Sequence, residues 1–357
     1  MQLCNNNNKE EEKTNTLYIN IPHSRNNHIR SSNSFTALSN EHVLSLGSLL
    51  KFNQMLFSPV PDKANNAIHS IIQRHKELRS KQNSFPEQLD LSIYKTISQL
   101  GSNCLSTVYK VEDTTTGKYY ALKKIISTNI NDITNLKQQI MLVNSINNLH
   151  IVNYLKAAIH KLDFTTYSFF ILMPLAESDW SKEIENKKEQ YTEHELLVVL
   201  KCLVNTLCHM QKKGIAHRDI KPQNIFVFEG GEYKLGDFDE MIKIVNNNDI
   251  EVKGTEMFMS PKLMRALREG CKTVRHNIFK SDVYSLGLCM IYAMVGDYDE
   301  ILKIKKRNDN DNMNWMYTTF NTTIYSREYL NIILNMIKRN ESDRYDFIEL
   351  NTVLNNY

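Results

Sequence analysis

Four side chains able to act on a phosphate or a hydroxyl fall in one short segment, "AHRDIKPQNIFVFEGGEYKLGDFDE", residues 216–240: Asp219, Lys221, Asn224 and Asp237. Asn224 and Asp237 offer the oxygen ligands that a hard Mg²⁺ ion takes. Asp219 is of the type that accepts a proton from an attacking hydroxyl, and Lys221 of the type that neutralises phosphate charge. For the set to act together, Asp237 must return to Asn224. The text between them, "IFVFEGGEYKLG", reads as two strands joined by a turn around residues 229–231, and such a hairpin brings the chain back.

The elements that must position this segment are legible on either side of it. "LSIYKTISQL" and "STVYKVED" are rich in β-branched and aromatic residues and are separated by "GSNC". "TTTG" then turns the chain into a third strand, "KYYALKKII". After residue 190 the pattern becomes helical. "EHELLVVLKCLVNTLCHMQKK" carries a wide apolar face and stops at Gly214, and "SDVYSLGLCMIYAMV" and "YLNIILNMIKR" read as further buried helices. Strands first and helices later predict an α+β body with two lobes over residues 93–355. Ahead of it, residues 1–35 are rich in Asn, Ser and charge, a composition that predicts a disordered tail. Residues 36–92 read as a helical extension and linker, with amphipathic helices over 36–57 and 66–80 separated by Pro59 and Pro61. The stretch 36–80 packs on the main body or stays loosely helical, or else serves as a docking or dimerisation element.

Bulk properties narrow the class. The 357 residues are 41% hydrophobic and 23% charged, ordinary for a globular chain of about two domains. A formal net charge of +3 is too small to argue for nucleic acid or a membrane as partner. No run of about 18 apolar residues predicts a transmembrane helix. The N-terminus lacks a hydrophobic signal core, and Gln2 stands where N-myristoylation needs Gly. The six cysteines show no CxxC pair, which predicts a reducing intracellular compartment, cytoplasmic or nuclear. Among them Cys104 is the one that falls near a ligand loop, most simply as a plain thiol. The basic run "KIKKR", residues 303–307, reads as a solvated face.

"HRDIKPQN" followed by "DF" at this distance resembles the catalytic loop and metal-binding strand of protein kinases, and the resemblance extends over about residues 93–355. Lys221, two places after Asp219, resembles the serine/threonine branch. More loosely, "HRDIKPQNIFV", "LGDF" and "GTEMFMSP" are similar to the never-in-mitosis-related group. The resemblance implies a small β-rich N-lobe, a larger helical C-lobe, ATP and Mg²⁺ as cofactors, and a protein substrate with a Ser or Thr acceptor. It implies Lys123 in "YYALKKI" as the contact to the α- and β-phosphates. Asp219, Lys221 and Asn224 are implied as catalytic, with Asn224 and Asp237 as metal ligands. The nucleotide pocket is implied to include Leu100, Gly101, Val108 and Ala121, then Met173 as gatekeeper, Leu175 and Ala176 at the hinge, and Phe226. "GTEMFMSPKL" resembles the substrate-binding segment. Asp282 in "SDVYSLG" is implied to support the catalytic-loop backbone.

The same comparison exposes departures. The loop "LGSNCLSTVYK" keeps only Gly101 of three glycines, with Asn103 and Ser106 at the other two positions, and predicts altered phosphate cover. Gln139 stands where a helix should supply a Glu to Lys123, and no Glu occurs between residues 113 and 176. That ion pair is therefore expected to be missing. Asp239 replaces the Gly after Asp-Phe, which predicts a modified hinge held at some backbone strain. Lys262 in "SPK" replaces a Glu that normally pairs with the residue matching Arg344; Lys262 would meet it as a like charge, so this pair is expected to be absent or the local fold to differ. "DEMIKIVNNNDIEVK", residues 239–253, contains no Ser, Thr or Tyr to phosphorylate, and Glu251 is the candidate fixed acid for Arg218. Thr255 reads as a structural contact of Asp219 and Lys221. The expected function is an ATP-dependent serine/threonine kinase. The alternative is a catalytically weak scaffold or nucleotide-binding module, favoured by Gln139 and Lys262 and opposed by the complete set of catalytic groups.

Overall fold

A computed structural model describes residues 87–357, apart from 104–105, 130, 245–248 and 321–323. The tail expected over 1–35 and the helices expected over 36–57 and 66–80 lie outside the described residues, as does Cys104.

The first lobe is one sheet and one helix. Its elements are β1 (Glu87–Gln88), β2 (Tyr94–Ser102), β3 (Ser106–Asp113), β4 (Tyr119–Ser127), α1 (Asn131–Ile146), β5 (Lys156–Lys161) and β6 (Tyr167–Pro174). The strand order is β1-β5-β6-β4-β3-β2, antiparallel except for β1 on β5. β1 falls inside the stretch read as linker, so the sheet takes in residues ahead of 93. The turn after β3 is closed by Asp113, whose carboxylate accepts the N–H groups of Thr115 (2.9 Å) and Thr116 (3.2 Å). On α1, Ile140, Val143 and Ile146 are buried at three-residue spacing, which seats that face on the sheet.

The second lobe begins with β7 (Ser178–Asp179), α2 (Trp180–Asn186) and α3 (Glu193–Lys212). α3 opens on a capping box made by Thr192 and Glu195 and buries Leu196, Val199, Leu200, Leu203, Val204 and Leu207. Then come β8 (Ile215–Ala216), β9 (Ile225–Phe228), β10 (Glu232–Leu235), β11 (Ile242–Lys243), β12 (Ile250–Glu251), α4 (Pro261–Arg268) and β13 (Thr273–Val274). The chain closes with α5 (Ile278–Val295), α6 (Tyr298–Lys306), α7 (Asp309–Thr319), α8 (Arg327–Met336) and α9 (Phe347–Asn356). By length and composition α5 is apolar enough to cross a membrane, although Lys280, Ser281 and Asp282 interrupt its apolar run. It is instead hydrophobic all round because it is the centre of the lobe: Val283, Leu286, Leu288 and Met290 are fully buried.

Candidate active site

The hairpin is formed as its sequence requires. β9 and β10 pair with Phe228 opposite Glu232 and Ile225 opposite Leu235, and Gly230 and Gly231 take φ of 80° and 75° in the turn. One rung further, the Gly236 N–H donates to the Asn224 carbonyl at 2.9 Å. A Cβ at residue 236 would lie 2.8 Å from the Phe226 ring, so only glycine allows this approach. Asp237 therefore emerges beside Asn224.

The catalytic loop is held from behind. Asp282, on α5, accepts the backbone N–H of His217 at 2.9 Å and of Arg218 at 3.0 Å, as the resemblance implies. Burial pushes its pKa up to about 7, and these two N–H groups pull against that rise. His217 is buried too, its Nε2 set 3.1 Å from the Gly236 carbonyl. Burial holds its pKa below the ordinary value, so the ring is neutral and donates that proton.

Asp219 is the hub of the loop. Its Oδ2 meets Lys221 Nζ at 2.8 Å and accepts from Asn224 Nδ2 at 3.0 Å. Its Oδ1 accepts from the Thr255 N–H (2.9 Å) and hydroxyl (2.7 Å), and Lys221 Nζ also donates to that hydroxyl at 2.9 Å. Gly254, at φ 112°, makes the Thr255 contact reachable; a Cβ there would lie 2.5 Å from the Arg218 carbonyl. Burial alone would raise the Asp219 pKa, but the bonds from Lys221 and Thr255 and the Lys221 charge outweigh it. The net shift is downward, and the carboxylate stays ionised at neutral pH.

Asn224 spends its amide nitrogen on the Asp219 carbonyl (2.8 Å) and carboxylate, so its Oδ1 is the atom left for a cation. Together with Asp237 this makes a two-oxygen donor set that fits Mg²⁺, an ion held by few protein ligands plus water and phosphate oxygens.

Lys123 lies on β4 opposite Val108 on β3 and Ile171 on β6. Its side chain is 7% exposed. The ion pair expected to be missing is present in another form: Nζ is 2.9 Å from Asp237 Oδ1 and 2.5 Å from Asp239 Oδ2. Burial would lower the lysine pKa, and the charges of Asp237 and Asp239 more than reverse this. Asp239 therefore carries charge to the site as well as altering the hinge. The strain expected there is also absent: the positive φ, 55°, belongs to Asp237, and Asp239 is not among the described residues with φ above zero. Gln139 reaches the same segment from α1, donating its amide to the Phe238 carbonyl. Phe238 is fully buried, edge-on to Tyr154 at 6.3 Å and His217 at 5.2 Å.

A cavity of 810 Å³ opens between the lobes and collects the remaining residues. Leu100, Gly101, Val108 and Ala121 line it from the sheet, Met173, Leu175 and Ala176 from the end of β6 and the linker, and Phe226 from β9. Lys123, Lys221, Asn224 and Asp237 line its polar end, whereas Asp219 faces a small adjoining recess with Thr255 and Arg218. Sequence reasoning missed Tyr154, Lys182, Gln223 and Tyr298, which also line the cavity; no spacing pattern marks them. In the phosphate-side loop, Asn103 accepts the Ser106 N–H on its side-chain oxygen at 2.7 Å, a bond no glycine makes.

The pair between Lys262 and Arg344 is absent, in line with the expectation, and one further expectation is corrected. Lys262 does not meet Arg344: its Nζ lies 2.8 Å from Glu341 Oε1. Arg344, 2% exposed, is satisfied by the carbonyls of Lys338 (2.9 Å) and Lys280 (2.7 Å) and sits 4.8 Å over the Tyr284 ring. Glu341, three residues ahead of Arg344, was the signal that could have revealed the partner of Lys262. Arg218 donates to the backbone carbonyl of Glu251 at 2.8 Å, so the hydrogen bond is to the main chain and not to the carboxylate.

Comparison with known proteins agrees with this geometry: the protein kinase domain is matched over residues 94–353. The chain belongs to the protein kinase family. Relatives include serine/threonine-protein kinase Nek3 of Oryza sativa subsp. japonica, 26% identical over 72% of this chain and 43% of the relative. Serine/threonine-protein kinase ppk11 of Schizosaccharomyces pombe is 22% identical over 70% of this chain and 77% of its own length. The MAPK/MAK/MRK overlapping kinase of Mus musculus is 26% identical over 59% of this chain and 50% of its own. The matched part of this kinase thus spans about half the length of most such relatives.

Proposed function

We propose that this kinase transfers the γ-phosphate of ATP to Ser or Thr hydroxyls of protein substrates. The observation that carries the reading is the closed network of Asp219, Lys221, Asn224 and Thr255, with Asp237 and Lys123 lining the polar end of a cavity large enough for a nucleotide. Phosphoryl transfer depends mainly on positioning and electrostatics, and each group needed for either is in place. Asp219, ionised and fixed through both oxygens, orients the acceptor hydroxyl and takes up its proton. Lys221 neutralises charge on the transferred phosphoryl group, and Lys123 holds the α- and β-phosphates. Asn224 and Asp237 are the residues that would hold Mg²⁺, which when bound neutralises the phosphate oxygens.

The Ser/Thr assignment rests on Lys221 bridging Asp219 and Thr255, and on the names of the relatives. Of the two features that would favour a scaffold, Gln139 is offset by Asp239 on Lys123, and Lys262 leaves Arg344 satisfied by carbonyls.

The test is transfer of labelled γ-phosphate from Mg-ATP to the chain itself and to a generic basic protein. Transfer by the wild type, abolished in Asp237→Asn, is the expected outcome. Equal, background-level transfer by both would defeat the proposal.

A further inference from the structure

We propose that Asp239 is the counter-ion that positions Lys123, a role that elsewhere in this family falls to a helix glutamate, so that the metal-ligand segment and not α1 sets the lysine. The inference rests on the activity proposed above and deepens it.

A buried ammonium needs a partner; burying it alone is far costlier than burying a neutral group. α1 has none to give. Its acid, Asp132, sits in the first turn and accepts from the Ser127 hydroxyl. Gln139, at the position that would face Lys123, spends its amide on the Phe238 carbonyl. The helix therefore touches the segment through a neutral bond to the main chain, while Lys123 finds both carboxylates on the segment itself.

Asp237 cannot fill the role alone. It is one of the two oxygen ligands of the cation site, and a carboxylate shared with a divalent ion is a poor sole partner for a lysine. Asp239 lies on the other side of the buried Phe238 and makes the shorter of the two contacts, 2.5 Å against 2.9 Å. Phe238 is clamped between Tyr154 and His217, which fixes where both neighbours emerge. One residue change thus both removes the family glycine and returns the charge that Gln139 lacks. A consequence is that displacement of α1 does not strip Lys123 of its counter-charge.

The test compares wild type, Asp239→Asn, Asp239→Gly and the double variant Asp239→Gly with Gln139→Glu, all in the full chain. Two readouts are taken: kcat and KM for ATP, and the affinity for a fluorescent ATP analogue in excess EDTA. Asp239→Asn keeps shape and removes charge. It is expected to lower kcat/KM roughly tenfold or more, the scale of one hydrogen bond to a charged group, and to weaken metal-free nucleotide binding several-fold. The double variant restores the family arrangement and is expected to recover most of what Asp239→Gly loses. The rescue also distinguishes positioning from folding, because Gln139→Glu gives up the amide bond to the Phe238 carbonyl, so any recovery comes from the carboxylate it offers Lys123. Unchanged kinetics and affinity in Asp239→Asn, tighter nucleotide binding in it, or no recovery in the double variant would each overturn the proposal. Absence of transfer by the wild type itself would instead defeat the proposed activity, and the EDTA binding series would still report on Asp239.

Discussion

The catalytic loop and the two ion pairs around it have kept their chemistry in different ways. In the loop each charged residue stands at its family position, and each touches the next: Asp219 to Lys221, Asn224 and Thr255. In the flanking pairs the residues have changed and each lysine has found an acid, while Arg344 keeps only carbonyl partners. Lys123 lacks a helix glutamate and takes Asp239; Lys262 replaces a glutamate and takes Glu341. The difference follows from what each group must do. In the proposed reaction Asp219 meets a substrate atom at one place, which fixes its position. A counter-ion needs only to supply charge within about 4 Å, and any element passing at that distance can carry it. The pairs also differ in environment. Lys123 is 7% exposed, whereas Lys262 and Glu341 are 44% and 24% exposed. Losing a partner is therefore more costly at Lys123, although solvent reaches both of its carboxylates and keeps the cost below the ~3–5 kcal/mol of a fully buried pair.

The comparison breaks if the loop proves tolerant. Thr255→Val removes a hydroxyl that donates to Asp219 and accepts from Lys221 while keeping the side-chain volume. We expect kcat to fall about tenfold or more, one to two charged hydrogen bonds' worth, with KM for ATP changed less than about twofold. Steady-state kinetics at saturating protein substrate measure this. A kcat within about twofold of wild type would place the loop on the same footing as the flanking pairs.

The exposed pair sharpens it at smaller scale. Lys262→Glu sets two like charges together and should lower stability by about 1 kcal/mol, a Tm shift of roughly 2–4 °C. Adding Glu341→Lys should return most of that loss, a coupling that a double-mutant cycle reads directly. Recovery will be incomplete, because Glu341 also accepts the Asn277 N–H at 3.2 Å at the start of α5. Catalytic constants should move with neither change.

The same contrast explains what the text of the chain disclosed. The hairpin that returns Asp237 was legible because turn glycines, two strands and a glycine before the aspartate are local features, and local geometry forces the contact. The Asp219–Thr255 and Asp282 contacts followed from family positions. The substitute acids did not follow. Asp239 reaches Lys123 across 116 residues and Glu341 reaches Lys262 across 79, and no periodicity encodes such pairs. What was visible in each case was an acid out of place beside a position of known charge. A residue in place of glycine points first to a backbone change, yet Asp239 is not among the described residues with positive φ, so glycine's freedom is not needed there.

The smallest expected effect lies in the activation segment, where sequence and structure disagree about which atom matters. Glu251 was the candidate acid for Arg218, yet the guanidinium donates to the Glu251 carbonyl at 2.8 Å. Any residue supplies that oxygen. The strand carrying it, β12, is held by pairing with Val274 and Thr273 on β13, again through the main chain. Burial lowers the Arg218 pKa, and Glu240, Glu251 and Asp282 together oppose this, so no one carboxylate is indispensable. Glu251→Ala should therefore leave kcat within about twofold and stability within ~0.5 kcal/mol, the range of an ordinary surface substitution. Glu251→Pro removes the strand amide and should cost more than the alanine, because it disturbs the backbone that presents the carbonyl. A loss in Glu251→Ala equal to that in Glu251→Pro would return the role to the side chain and make the segment a third site of displaced charge.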